Sequence, residues 1–164
     1  MKTITKTIMY LQMTALFLTA ALTVSGASNK ALPFRGSLQA VETYNLQFPT
    51  LFVDTSGSGN VTHLGRFTQT SEFEVDLLTF AASGSAHFIA ANEDSIFTDI
   101  IYLGTPTPTE DPDVISVVGM HTITGGTGRF AGATGSFIEE RLVNTVTGVT
   151  SSSLEGAIVI DKTK

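Results

Sequence analysis

Cysteine is missing from all 164 residues of this chain. Its absence excludes a thiol nucleophile, a disulfide and a zinc site with cysteine ligands. Stability must therefore come from a hydrophobic core, and a chain of this length is long enough to bury one. Only three histidines are present, and none of their spacings matches a known zinc motif. We therefore predict no metal site.

Long, clean hydrophobic runs are also missing. Two lysines in the first six residues precede a mostly apolar run over residues 8–24, and small residues follow at 25–27. This order is typical of a cleavable export signal. The run falls short of the ~20 clean apolar residues of a membrane-spanning helix. We expect a signal peptide over 1–27, one domain over 28–164, and a secreted or periplasmic protein with no stable membrane insertion after cleavage.

Positive charge is scarce. The chain has nine lysines and arginines against fifteen acidic residues. Loss of the two lysines in the signal leaves seven against fifteen, a net charge near −8. An acidic chain is repelled by phosphate backbones, which argues against nucleic acid as a partner.

Helical periodicity is nearly absent after the signal, and apolar and polar residues alternate instead. The alternating runs predict eight strands, over 34–43, 46–54, 60–76, 80–91, 95–103, 114–124, 136–146 and 152–161. Turns are expected at 55–59 and in the proline-rich segment 104–113, because proline cannot join a strand ladder. The run 114–123 is apolar on both faces and would aggregate at an open edge, so we predict an all-β, closed, eight-stranded antiparallel barrel.

A glycine-dense segment over 125–135 is the strongest motif in the chain. The residues after it alternate like a strand, whereas a nucleotide site needs a helix there, and no Gly-Lys-Ser/Thr is present. We therefore predict no cofactor and interpret the motif as a barrel corner, in which glycines allow tight backbone and an aromatic ring anchors the turn. The structural residues of this motif are Gly125, Gly126, Gly128, Phe130, Gly132 and Gly135.

The run Gly-Gly-Thr-Gly-Arg-Phe-Ala-Gly-Ala-Thr-Gly resembles the signature of the allene oxide cyclase and dirigent superfamily of β-barrels. Segments at 62–67, 84–94 and 154–158 are similar to other parts of that superfamily, so the resemblance covers most of 34–161. It implies a calycin-like barrel whose interior can hold a small hydrophobic molecule. Relatives cyclise a fatty-acid epoxide or guide the coupling of phenolic radicals.

Three residues are candidate catalytic groups: His63, His121 and Asp99. Both histidines share a strand face with small and apolar residues, so the pattern allows each to point inward. There each would be either a hydrogen-bonded core residue or an acid/base tuned by burial. Asp99 shares one strand face with the apolar residues Phe97 and Ile101, which is unusual for a face exposed to solvent. A buried aspartate needs a partner or a raised pKa.

Five residues are candidates for ligand contact. Phe67 and Phe73 lie on the apolar face of the 60–76 run, and Tyr102 could supply a phenol or simply pack. Glu139 and Arg141 share one strand face. Facing inward they would orient an oxygen-rich ligand, and facing outward they would form a surface pair worth little. The sequence slightly favours the outward arrangement.

Three functions stay open at this point. We expect an exported barrel that binds a small hydrophobic ligand, because the resemblance and the predicted export coincide with the lack of a strong catalytic motif. The alternatives are a cyclase or isomerase acting on an epoxide, polyketide or phenolic substrate, and a structural or assembly module, with homo-oligomers open throughout. An enzyme should have a polar cluster at one end of a cavity, a carrier an evenly apolar lining, and a structural module a fully packed barrel.

Overall fold

The computed structural model describes residues 30–161, which form one closed β-barrel. Eight antiparallel strands follow one another in chain order, and the last pairs with the first. The strands are β1 (Leu32–Gln47), β2 (Thr50–Val61), β3 (Gly65–Asp76), β4 (Ala82–Ala90), β5 (Ser95–Pro108), β6 (Val114–Gly126), β7 (Thr134–Asn144) and β8 (Val149–Val159). The predicted closed, eight-stranded, all-β architecture is confirmed. The predicted signal over 1–27 lies outside the described residues.

Alternation decides which side chains face the interior. In β3, Phe67, Gln69, Ser71 and Phe73 are buried, and the residues between them are exposed. The same period of two runs through β5 and β7, since successive strand residues point to opposite faces of the sheet. No helix within residues 30–161 is long and apolar enough to cross a bilayer.

The turn expected at 55–59 does not exist, because β2 continues through it. Gly57 pairs with Ala40 of β1, and a Cβ on Gly57 would clash with that residue. The glycine therefore permits close packing between neighbouring strands, which a sequence pattern cannot distinguish from a turn.

The actual turn interrupts the run 60–76, which we had expected to be a single strand. The β2–β3 turn lies at 62–64, with His63 in the left-handed region at φ 67°. The Thr62 hydroxyl donates a hydrogen bond to the Pro33 carbonyl at 2.6 Å, and Leu64 is buried. This turn carries no Asn-Gly or Pro signal at its tip, and histidine tolerates the left-handed conformation better than most residues.

The proline-rich segment is shorter as a loop than expected. β5 extends to Pro108, across an irregular register between Leu103 and Thr107, and pairs there with Ile115. A bulge of this kind accommodates residues that cannot donate to the ladder. The loop itself is confined to residues 109–113.

The barrel has two unlike ends. At the packed end, which carries the β2–β3, β4–β5 and β6–β7 connections, large aromatic side chains fill the interior. Phe34 and Phe137 have ring centroids 4.7 Å apart, and Phe67 and Phe88 have theirs 5.4 Å apart. The open end carries the β1–β2, β3–β4, β5–β6 and β7–β8 hairpins.

The glycine-dense segment forms the β6–β7 connection at the packed end. A single 3₁₀ turn spans Gly128–Phe130, and the Phe130 ring is fully buried. Gly128 has φ 55°, a conformation that most side chains disfavour. Arg129 donates a hydrogen bond to the Leu64 carbonyl at 3.2 Å, so the corner is joined to the β2–β3 turn.

Candidate functional site

The interior is not filled at the open end and leaves a cavity of about 350 Å³. Its outer lining includes residues of the β3–β4 and β7–β8 hairpins, so the cavity opens between the hairpins at this end. Its wall is almost entirely apolar, and the members of that wall are Leu51, Val53, Phe73, Val75, Leu77, Phe80, Ala82, Ile115, Val117 and Val143. Ligand cavities in proteins begin at roughly this volume.

Side-chain size explains why one half is filled and the other is not. The interior of an eight-stranded barrel is just wide enough to be filled by its own side chains. At the packed end these are mainly phenylalanines. Near the open end, the corresponding inward positions carry smaller residues such as Val53, Ala82 and Val117. The cavity is therefore a direct consequence of the residue sizes on these strands.

The inner end of the cavity is polar and is built around Arg141. Its guanidinium donates hydrogen bonds to the Glu42 carboxylate and to the Tyr102 hydroxyl. The Tyr44 hydroxyl donates to the second oxygen of Glu42 at 2.7 Å. The Phe73 ring lies 5.4 Å from the guanidinium carbon, within cation–π range. We call Glu42, Tyr44, Tyr102 and Arg141 the polar floor.

Beneath the polar floor, a chain of buried polar side chains runs toward the packed end. Glu139 Oε1 lies 3.7 Å from Arg141 Nε, and Glu139 Oε2 lies 3.0 Å from His121 Nε2. His121 Nδ1 lies 2.9 Å from the Thr98 hydroxyl. The imidazole stacks on Phe137 with ring centroids 4.5 Å apart. Thr98, His121 and Glu139 do not line the cavity, so they support Arg141 from behind.

Burial and the neighbouring groups together set the pKa values of Glu139, Arg141 and Tyr102. Burial alone would raise the pKa of Glu139, but the hydrogen bond from His121 and the charge of Arg141 outweigh burial and hold the pKa below its ordinary value. Burial likewise opposes the charge of Arg141, yet Tyr102, Glu139 and Glu42 raise its pKa. Burial is the main cause of the raised pKa of Tyr102, so this phenol keeps its proton. The cluster thus combines a permanent guanidinium with flanking carboxylates.

The structure brings together five of the residues singled out in the sequence: Phe73, Tyr102, His121, Glu139 and Arg141. The outward orientation favoured for Glu139 and Arg141 is wrong. Both are almost completely buried, because Phe137 and Val143 on the same face of β7 point inward. The opposite face also carries apolar residues, Ile138 and Leu142, so the sequence pattern of β7 could not decide between the two faces.

The other candidates lie elsewhere. His63 is exposed in the β2–β3 turn, and Asp99 is exposed on the outer face of β5, so neither has the inward position that a role in the cavity requires. Asp99 shares one face of β5 with Phe97 and Ile101, and that whole face points to solvent. Phe67 is buried in the packed end, away from the cavity.

Sequence reasoning missed Glu42 and Thr98. Glu42 carried a usable signal, because it continues the buried alternation of Leu38 and Ala40 in β1. An acidic residue on an apolar strand face is a candidate for a buried ion pair. Thr98 carried no such signal, since threonine is common on either face of a strand.

Exposed apolar side chains surround the mouth of the cavity. Leu46 and Phe48 lie at the β1–β2 hairpin, Leu78 at the β3–β4 hairpin and Val146 at the β7–β8 hairpin. Each is more than 60% exposed. A hydrophobic molecule entering the cavity would therefore meet apolar surface at the mouth.

Within residues 30–161, no three histidine, aspartate or glutamate side chains come close enough to hold a metal ion. The three histidines lie far from one another in environment: His63 is in a turn, His87 is half-buried against Phe97, and His121 is inside the barrel.

Comparison of the chain with protein-family models, with curated proteins and with solved structures gives no match. The features of the barrel that indicate a function are therefore the cavity and its polar floor.

Proposed function

We propose that this protein is an exported barrel that binds a small hydrophobic molecule in its open-end cavity. The observation that carries the proposal is a 350 Å³ cavity with an apolar wall and a single polar end. The resemblance of the glycine-dense motif to allene oxide cyclase and dirigent barrels supports it, because that resemblance implies an interior that can hold such a ligand.

The volume sets the size of the ligand. An apolar protein cavity of about 150 Å³ binds benzene. A cavity of 350 Å³ would hold a molecule roughly two to three times as large, such as two or three aromatic rings or a medium-length alkyl chain.

The arrangement of polar groups favours binding over catalysis. Arg141 is engaged by Glu42 and Tyr102, and Glu139 and His121 lie behind it, out of reach of a molecule in the cavity. A general acid or base must come within hydrogen-bonding distance of the reacting atom or act through one water. His121 and Glu139 are thus better placed to orient Arg141 than to react.

Binding is tested with a neutral apolar fluorophore, N-phenyl-1-naphthylamine, whose emission rises in apolar surroundings. We expect saturable binding to the purified protein and its loss in Val117→Phe, because Val117 lines the cavity and a larger ring would fill it. Val118→Phe is the matched control, since Val118 lies on the opposite face of the same strand. Non-saturable emission, or equal binding by both variants, would contradict the proposal.

A cyclase or isomerase is the second candidate, and one observation favours it. The cavity ends on a polar cluster, as expected of an enzyme, with Glu42 and Tyr102 both lining it. Isomerisation would change the chromatographic retention of a bound ligand at unchanged mass. Quantitative recovery of unchanged ligand after long incubation would argue against turnover. A purely structural barrel is less well supported, because its open half is not filled by its own side chains.

A further inference from the structure

The guanidinium of Arg141 is already engaged by acidic side chains on two sides. Glu42, in the polar floor, and Glu139, beneath it, both lie against Arg141. Tyr44 and Tyr102, the other ionisable groups of the floor, are neutral phenols, and His121 lies behind Glu139. An anionic group that enters from the cavity would meet Glu42 before any unpaired positive charge.

The hydrogen bonds within the polar floor determine which donor and acceptor positions remain for a ligand. The Tyr102 oxygen accepts a hydrogen bond from Arg141, and its own proton has no acceptor among the described residues. Glu42 accepts bonds from Arg141 and Tyr44, and each of its oxygens has a further lone pair. Tyr102 and Glu42 both line the cavity, and Arg141 bonds to both. The floor therefore presents one O–H donor near one carboxylate acceptor.

A hydroxyl group matches this pair, because it accepts one hydrogen bond and donates another. A carboxylate would place acceptors and like charge against Glu42. An ammonium would leave the Tyr102 proton unmatched and would lie close to the guanidinium of Arg141. Sites built around a hydroxyl discriminate strongly, since their own buried polar groups are otherwise left unpaired.

We propose that the cavity selects an uncharged ligand with a hydroxyl group at the end of an apolar body, and that it rejects carboxylates of the same length. The hydroxyl donates to Glu42 and accepts from Tyr102, while the apolar body lies along the valine and phenylalanine wall. This inference rests on the proposed binding function and specifies the ligand class of that site.

The test is displacement of bound N-phenyl-1-naphthylamine by three matched C10 compounds at neutral pH: 1-decanol, decanoate and decylammonium. We expect 1-decanol to bind at least tenfold more tightly than either charged compound. Glu42→Gln removes the negative charge at the floor and should narrow the gap between alcohol and carboxylate. Glu140→Gln, on the outer face of β7, is the matched control and should leave the gap unchanged.

The outcomes separate this inference from the proposed function. Decanoate or decylammonium binding as tightly as 1-decanol would overturn the ligand class while leaving the binding function intact. Saturable fluorophore binding that none of the three compounds displaces would also overturn it. Absence of saturable fluorophore binding would overturn the proposed function and this inference together. If Glu42→Gln fails to fold, the order of affinities in the unchanged protein still decides the question.

Discussion

Replacement of Arg141 by methionine tests whether the buried cluster is held together by charge. The variant removes the guanidinium and keeps a side chain of similar length. Glu42 and Glu139 would then both lose the guanidinium that they contact. Arg141 and Glu42 are only 3% and 5% exposed, so water cannot readily replace the lost interaction.

The expected loss is several kcal/mol. A unit-charge pair about 4 Å apart, close to the 3.7 Å between Arg141 and Glu139, interacts by about 4 kcal/mol at an effective dielectric constant near 20. Removal of one partner of a buried ion pair typically costs about 3–5 kcal/mol, because an uncompensated charge remains buried. We therefore expect a loss of about 3–5 kcal/mol at pH 7.

The dependence on pH gives this prediction a second signature. In the unchanged protein the pKa of Glu139 is depressed, so its stabilising effect is present above the pKa of the unfolded chain and is lost as the pH falls through the folded value. Without Arg141, burial is opposed mainly by the hydrogen bond from His121, so the pKa of Glu139 rises. As the pH falls, Glu139 of the variant takes up a proton, and the cost of burying its charge is removed. The stability difference between the two proteins should therefore shrink between pH 7 and pH 4.

Denaturant unfolding at several pH values measures this difference, and Arg35→Met is the matched control. Arg35 forms an ion pair with Glu155 at 2.9 Å, but both side chains are more than 60% exposed. Such a surface pair is worth about 1 kcal/mol or less. A loss of stability in Arg141→Met no larger than that in Arg35→Met, or one that does not change with pH, would show that charge does not hold the cluster together.

Two further predictions concern the packed end and export. Phe130→Ala should lower stability by about 3–5 kcal/mol in denaturant unfolding, because the fully buried ring anchors the β6–β7 connection; a loss below about 1 kcal/mol would contradict this role. In an exporting host, the protein recovered outside the cytoplasm should have the intact mass of residues 28–164, because the signal pattern ends at Ala27. Recovery of the full-length mass from that fraction would contradict cleavage.

Much of the fold follows from local sequence alone. Alternation of apolar and polar residues predicted eight strands, and the structure has eight near the expected positions. The run 114–123, apolar on both faces, favoured closure over an open sheet, and the barrel is closed. These inferences succeed because strand periodicity and edge avoidance depend on residues that are near one another in the chain.

The orientation of two strands was beyond the sequence. β5 and β7 carry apolar residues on both faces, so a shift of one residue would exchange the inner and outer faces without changing the pattern. Asp99, a candidate for an inward position, lies outside, and Arg141, for which the pattern slightly favours the outward position, lies inside. Pairing with both neighbouring strands decided these orientations.

The candidate site is the most non-local feature of the molecule. Arg141 and Glu42 are 99 residues apart in the chain, and closure of the barrel brings β7 close to β1, with only β8 between them. The cavity above them depends on side-chain sizes on several separate strands. Local alternation of side chains is thus enough to predict the strands and to favour a closed barrel. The cavity and its buried charges arise only in the folded barrel, because they depend on register and packing between distant segments.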